Sequence, residues 1–284
     1  MVICSYRKSG DWDLWVINAG RIKMDGGAMF GVVPKPLWEK CFTPDAQNRI
    51  SLSLNCLLLR RNNQVILIET GFGGKVSDKQ KTFYDLDESN GLHESLGQIG
   101  IKAGDISCVI LTHLHQDHAG GCTKKCGDVY IPAFPNATYF VQQGEWEDAK
   151  HADAQTMKGY RYQDVMVPLE QAGVVNLLNG NAVIGPGIRV VCTPGHTRCH
   201  QSVIVETGVE TICFIGDLIP TVHHMRPIYV MAYDLFPRET FVVKQKLMAQ
   251  ACSEKWIVVW GHDPQWPMSR VGRIETGDYF PVGV

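Results

Sequence analysis

The chain has 284 residues, 45% of them hydrophobic and 20% charged, with a formal net charge of −2. This ordinary globular composition excludes a disordered chain, and the length can bury one sizeable core or two small ones. The balance lacks the basic excess with which a nucleic-acid enzyme neutralises many phosphates, so a small, neutral or apolar partner is expected and nucleic acid is not.

No apolar run approaches the ~18 residues of a membrane span, and no membrane partner is expected. Residues 1–8 lack the basic and then apolar pattern of a signal peptide, so a cytoplasmic protein is expected. In that setting the ten cysteines read as reduced thiols. Cys56, Cys108, Cys192 and Cys213 sit in apolar strand-like runs, where a thiol behaves as a small hydrophobe. Only Cys122 and Cys126 have a spacing that suggests a pair, and with no second pair beside them a structural zinc is the lesser reading.

Taken in chain order, 24–38 is a Gly-rich turn followed by an apolar arm with Pro34 and Pro36, read as lying before the first strand pair. Residues 64–68 form a short apolar run that stops at Glu69-Thr70-Gly71, and 93–99 carry apolar residues at helical spacing. A second run, 106–111, ends at Thr112-His113, and a strand over 137–141 leads into a helix over 145–152. The run 188–192 ends at Thr193-Pro194-Gly195-His196, and 211–215 ends at Gly216-Asp217. A longer helix over 238–252 has Phe241, Val242, Leu247 and Met248 for a buried face, and 256–260 ends at Gly261-His262. Short β-branched runs bounded by Gly and Pro read as strands buried on one or both faces. No repeat or linker divides the chain. The expected fold is α+β, two packed mixed sheets with helices on the outer faces, in one domain over 1–284.

Four of these runs end in His or Asp, and strand ends can converge on one edge of a sandwich. The candidates are His113, His115, Asp117 and His118 from one loop, with His196, Asp217 and His262 from three others. Imidazole and carboxylate together suit zinc and neighbouring metals. Seven such groups exceed one tetrahedral ion and suit two ions about 3.5–4 Å apart. His113 and His115 can chelate one ion, while Asp117 and His118, one bend later, reach a second. Ala119-Gly120-Gly121 then let the backbone turn tightly beneath them. Alone, His262 would read as structural and Asp217 as a helix cap or turn residue. Gathered within six residues, the groups of 113–118 would be costly to bury unpaired. His200 reads either as a hydrogen-bond partner of a ligand or as a core histidine. For His223 and His224 a solvated loop is preferred over a place at the border of the site. Glu69-Thr70-Gly71 reads equally as a ligand-orienting group and as a simple turn.

The segments THLHQDHAGG (112–121), TPGHT (193–197), IGD (215–217) and WGHD (260–263) together resemble the metallo-β-lactamase superfamily over about 54–263. The resemblance implies an αββα sandwich. It implies His113, His115 and His196 on a first metal, Asp117, His118 and His262 on a second, and Asp217 bridging them. Two divalent ions follow, zinc first, with Mn, Fe, Co or Ni as alternatives. The stretch MDGGAMFGVVPKPLW (24–38) is similar to the N-terminal signature of the YtnP-like quorum-quenching lactonases, as are VMAYD (230–234), AFPNA (133–137) and KQK (79–81).

That likeness implies opening of N-acyl-homoserine lactones by a hydroxide formed between the two metals, where the pKa of water falls towards ~7. Asp117 and Asp217 are the catalytic candidates, Asp117 passing a proton to the leaving alkoxide. Met24, Met29, Phe30, Tyr229 and Tyr233 are the candidate substrate contacts. Acyl-homoserine lactonases commonly carry a Tyr three residues after the bridging Asp, where this chain has Pro220; Tyr229 or Tyr233 would replace it. Glu69 also stands where the family usually has Asp. Phosphotriesterase, arylesterase, thioesterase and hydrolytic dehalogenase chemistry use the same parts and stay open. A di-iron redox protein would need a flavin domain for which the length leaves no room, and a homodimer is left open.

Overall fold

The computed structural model describes residues 3–89 and 91–284; Met1 and Val2 of the stretch read for a signal peptide lie outside them. The first sheet contains β1 (Ile3–Ser9), β2 (Trp12–Asp25), β3 (Arg49–Arg61), β4 (Gln64–Ile68) and β5 (Cys108–Ile110). After a separate hairpin of β6 (Thr123–Cys126) and β7 (Val129–Pro132), β8 (Thr138–Gln142) and β9 (Val175–Leu178) complete it. Its order is β1-β2-β3-β4-β5-β8-β9, antiparallel as far as β4 and parallel from β4 to β9.

The second sheet runs in chain order through β10 (Ala182–Gly185), β11 (Ile188–Cys192), β12 (Gln201–Glu206), β13 (Thr211–Phe214), β14 (Ile257–Val259), β15 (Met268–Arg273) and β16 (Tyr279–Val282). Only β13 and β14 are parallel, and the helix Pro237–Ser253 supplies the crossover that parallel neighbours need.

Strand alternation sorts the core into layers. Trp12, Leu14 and Val16 of β2 and Leu57 and Leu59 of β3 meet Val203, Val205, Phe214 and Val259 between the sheets. The alternate residues Trp15, Ile17 and Leu58 turn outward under helices Leu92–Gln98 and Gln143–Lys150. On the other side Ile204, Cys213 and Val258 pack under Leu247, Met248 and Ala251 of helix Pro237–Ser253. Helices, sheet, sheet and helices follow in that order, which is the expected sandwich. Truncating an inter-sheet residue such as Leu57 to Ala would cost about 2–5 kcal/mol.

The structure corrects several local expectations. The arm 24–38 follows the first strand pair instead of preceding it: Met24 and Asp25 end β2, and the rest folds into helices Gly26–Phe30 and Lys35–Trp38. In the long helix the buried stripe is Thr240, Lys244, Leu247, Met248 and Ala251. Val242 lies about 200° around the axis from Thr240 and is exposed. Cys192 is exposed, and Cys122 and Cys126 do not pair: Cys122 is buried, while Cys126 ends β6, a strand that carries it about 13 Å away. Among the described residues no helix is long and apolar enough to cross a membrane.

Candidate metal centre

The strands β4 and β5 are parallel, as are β13 and β14, and β11 runs with β13 because both are antiparallel to β12. Their C-terminal ends lie at one edge of the sandwich and carry the site. β5 leads into His113 and then the short helix Gln116–Ala119; β11, β13 and β14 deliver His196, Asp217 and His262. Two glycine positions make this delivery sterically workable. At Gly216 (φ 60°) a Cβ would come within 2.5 Å of the His200 ring, so the left-handed turn that aims Asp217 also admits His200. At Gly121 a Cβ would meet the Thr70 carbonyl oxygen at 2.2 Å. The small residues after the motif therefore serve close backbone approach as well as turning.

All seven predicted groups converge. His115 Nδ1 lies 3.0 Å from both His113 Nε2 and His196 Nε2. On the other side His118 Nε2 and His262 Nε2 are 3.2 Å apart, with Asp117 Oδ2 at 3.7 Å from each. Asp217 spans the two groups: Oδ1 is 3.1 Å from His262 and 3.4 Å from His118, whereas Oδ2 is 3.5 Å from His196. Three sets, His113/His115/His196, His113/His118/Asp217 and Asp117/His118/His262, each bring their donor atoms within 4.8 Å of one another.

The outward ring nitrogens are held by the surrounding protein. His262 Nδ1 donates to the Ser53 carbonyl at 2.8 Å and His196 Nδ1 to Asp234 at 3.1 Å, which leaves each Nε2 facing the cluster. His113 Nδ1 shares a hydrogen bond of 3.0 Å with the Thr112 hydroxyl. Glu69 accepts from the Thr112 amide at 2.7 Å through Oε1 and places Oε2 3.3 Å from His118 Nδ1. It does so in the left-handed region (φ 66°), a strained conformation for a residue with a side chain. Of its two readings, orienting a ligand is the one this geometry favours. His200 is buried and its Nε2 accepts the Asp217 amide at 3.1 Å, so Nδ1 carries the proton and donates to Thr193.

Charge follows the same division. Burial, reinforced by the charges of neighbouring histidines, holds His113 well below the usual imidazole range and His115 down at about 3. Burial would lower His118 and His262 too, but the carboxylate of Asp217 lifts both; for His196 the Asp234 hydrogen bond does so. Burial would raise Asp217, yet the charges of His262 and His118 hold it well below the carboxylate range.

The residues fit divalent cations. Imidazoles and carboxylates are the donor chemistry of zinc and its neighbours. Asp217 Oδ1 is buried without a hydrogen-bond partner, a costly state that a cation relieves.

A cavity of about 320 Å³ opens onto the cluster. Ile22, Met24, Met29, Leu52, Met231 and Leu235 give it an apolar wall, and Tyr84, Gln116 and Tyr233 line its polar side. Met24, Met29 and Tyr233 thus lie where a substrate contact was expected. Phe30 and Tyr229 do not line it. Phe30 is fully buried, stacked on Trp38 and on His224, and Tyr229 meets its edge in the core. His224 is not in a solvated loop: its ring nitrogens bond Thr221 at 2.7 Å and the Met29 carbonyl at 2.9 Å. His223 is partly buried against Phe42.

Three further residues were not singled out by sequence reasoning. Tyr84 ends the helix Asp78–Tyr84 that contains KQK, and Asp234, the partner of His196, ends VMAYD. Glu145 is fully buried and accepts from the Leu114 amide (3.1 Å), the Tyr160 hydroxyl (3.3 Å) and the Thr197 hydroxyl (2.7 Å). The only signal in the sequence was a carboxylate on an otherwise buried helix face.

The model of the Metallo-beta-lactamase superfamily matches residues 52–262. The N-acyl homoserine lactonase of Bacillus cereus is 26% identical over 204 residues, 68% of this chain and 70% of that protein. The N-acyl homoserine lactonase AttM of Rhizobium radiobacter is 30% identical over 187 residues, 63% and 66% of the two chains. A probable metal-dependent hydrolase from Staphylococcus aureus superposes with a TM-score of 0.87 at 30% identity, covering 93% of this chain and 94% of that one. AidC, a dizinc quorum-quenching lactonase solved with a product, gives 0.80 at 20% identity over 99% and 97%, a likeness of fold.

Proposed function

The chain belongs to the metallo-beta-lactamase superfamily and is a metal-dependent hydrolase, and we propose that it is a dinuclear lactonase that opens N-acyl-homoserine lactones. The observation that carries the dinuclear reading is Asp217, whose two oxygens face different histidine sets. In this reading His113, His115 and His196 hold one ion, Asp117, His118 and His262 the other, and Asp217 lies between them. The proposal takes the whole chain, 1–284, as one hydrolase domain, and zinc as the first metal to try. Two divalent ions in that position supply Lewis acidity and bring the pKa of water towards ~7.

The chain's own residues then do the rest. Asp217 and the histidines fix the geometry in a buried pocket, where the outward hydrogen bonds of His196 and His262 prevent the rings from turning. The ester C–O bond of the ring breaks, the carbonyl carbon gains the oxygen of water, and the ring oxygen gains a proton. Asp117 lines the cavity, as Asp217 does, and in this reading carries that proton. Tyr84 and Tyr233 offer hydroxyl groups to the substrate carbonyl in place of the family's usual Tyr; burial pushes the Tyr233 phenol up to about 12, so it stays a donor. The wall of Ile22, Met24, Met29 and Leu52 takes the acyl chain, worth ~0.8 kcal/mol per buried methylene.

The relatives' names support the lactone over other esters. The test is a panel on metal-loaded protein: short- and long-acyl homoserine lactones beside an aryl ester, a thioester and a phosphotriester. Lactone turnover above the other classes is expected. No turnover of any lactone would overturn the assignment and leave the other hydrolytic chemistries.

A further inference from the structure

Beside the metal cavity lies a second concavity of about 860 Å³, between helix Asp78–Tyr84 and the segment 157–164. Tyr84, Gln116 and Lys158 line both spaces. The divider is a polar one. Gln116, between His115 and Asp117, accepts from Gln80 and donates to the Tyr84 hydroxyl, both at 3.3 Å.

The charge of the groove is one-sided. Its single carboxylate, Asp164, is already engaged by Arg161 through Nε and Nη2. Among the described residues the ammonium groups of Lys79 and Lys158 have no ion-pair or hydrogen-bond partner, and Arg161 Nη1 is buried without one. The same groove exposes two large apolar side chains, Phe83 at 69% and Met157 at 59%. A neutral alkyl chain would be served by the wall of the metal cavity and would leave the cations unused. An apolar chain that ends in an anion uses both surfaces at once.

We propose that this groove binds the far end of an acyl substrate whose chain terminates in a carboxylate. The chain passes between Tyr84 and Lys158, its apolar part lies on Phe83 and Met157, and the carboxylate rests between Lys79 and Lys158. The substrate part of this assignment rests on the hydrolytic reading of the metal cavity.

The test is calorimetric titration of metal-loaded protein with sebacate mono-N-methylamide and with N-methyldecanamide, which share a chain and differ in the terminal carboxylate. Both titrations are repeated on the Lys79→Ala/Lys158→Ala double variant and at raised salt. The anionic amide is expected to bind about five- to tenfold tighter to the natural protein. That advantage is expected to vanish in the double variant and to shrink with salt, while the neutral amide keeps its affinity as a check on folding. Equal affinities in the natural protein, or no binding of either amide, would overturn the proposal. So would an advantage that survives in the double variant, which would place the carboxylate on the metal centre. Neither amide has to be hydrolysed. A protein that opens no lactone therefore loses the lactonase reading, while the groove is decided by binding alone.

Discussion

Removing the Glu145 carboxylate should loosen one half of the candidate metal centre without touching any of its seven candidate ligands. Its Oε1 holds the amide of Leu114, which lies between His113 and His115, and the hydroxyl of Tyr160, whose ring is 5.2 Å from that of His115. Its Oε2 holds Thr197, next to His196. Glu145→Ala leaves three donors unpartnered in a site without solvent. Each orphaned donor costs about 1–3 kcal/mol, and the two hydroxyls can rotate towards other acceptors whereas the amide cannot, so a total of about 3–4 kcal/mol is expected. Glu145→Gln keeps one oxygen for Leu114 and turns an amide nitrogen to Thr197, whose hydroxyl can accept; about 1 kcal/mol is expected. Urea unfolding of the metal-free variants measures the stability, and metal titration measures the site. The alanine variant should bind its first-released ion about 10–100-fold more weakly, with the glutamine variant near the natural protein. An alanine variant within 1 kcal/mol of the natural protein, with two ions held as tightly, would refute the argument.

Asp217→Ala should remove the group shared by both histidine sets, so metal content falls below two ions per chain and hydrolysis drops to background; full activity would overturn the dinuclear assignment. Lys244 is buried, with Nζ 2.5 Å from the Tyr229 carbonyl, and burial lowers its pKa to about 7 from the ~10.4 of an unfolded chain. Between those values the unfolded chain binds more protons, so stability rises with pH by up to about 1.4 kcal/mol per unit. Relative to Lys244→Met, the natural protein should gain stability from pH 7 to pH 9, and parallel urea midpoints at the two pH values would contradict this. Gly121→Ala should destabilise by about 2–4 kcal/mol, because its Cβ would meet a backbone oxygen that cannot swing away; an unchanged melting curve would show that the strand end can shift.

What was legible in the sequence was whatever is local. The candidate ligands His113, His115, Asp117 and His118 sit within six residues after one strand, so their chemistry shows without knowing the fold, and the strand ends at His196, Asp217 and His262 join them as candidates. The β1–β2 hairpin was not legible, because much of β2 is buried on both faces and shows no alternation, and its pairing with β3 shifts between Asn18 and Arg21. The supporting residues were hidden for another reason. Glu145 meets Thr197 across 52 positions and Asp234 meets His196 across 38, so only the folded chain makes either pair. Phe30 was assigned to the substrate because the arm is apolar, yet an apolar arm can turn its aromatic side chains inward, and this one does so with Phe30 and Trp38.

Four of the seven candidate ligands hang from the first sheet and three from the second. Among the described residues the chain passes from one sheet to the other once, between β9 and β10. The second sheet's His262 is moored to β3 of the first: its carbonyl accepts the Ser53 amide at 3.1 Å and its ring donates back to the Ser53 carbonyl. Neither half alone presents a complete set of donors. Ions held at this edge would bind only the closed sandwich, and their binding free energy would add to the adhesion of its two halves. The candidate centre, once loaded, would be a fastener placed at a seam, and withdrawing the metal should loosen the whole molecule along that seam before either sheet comes apart.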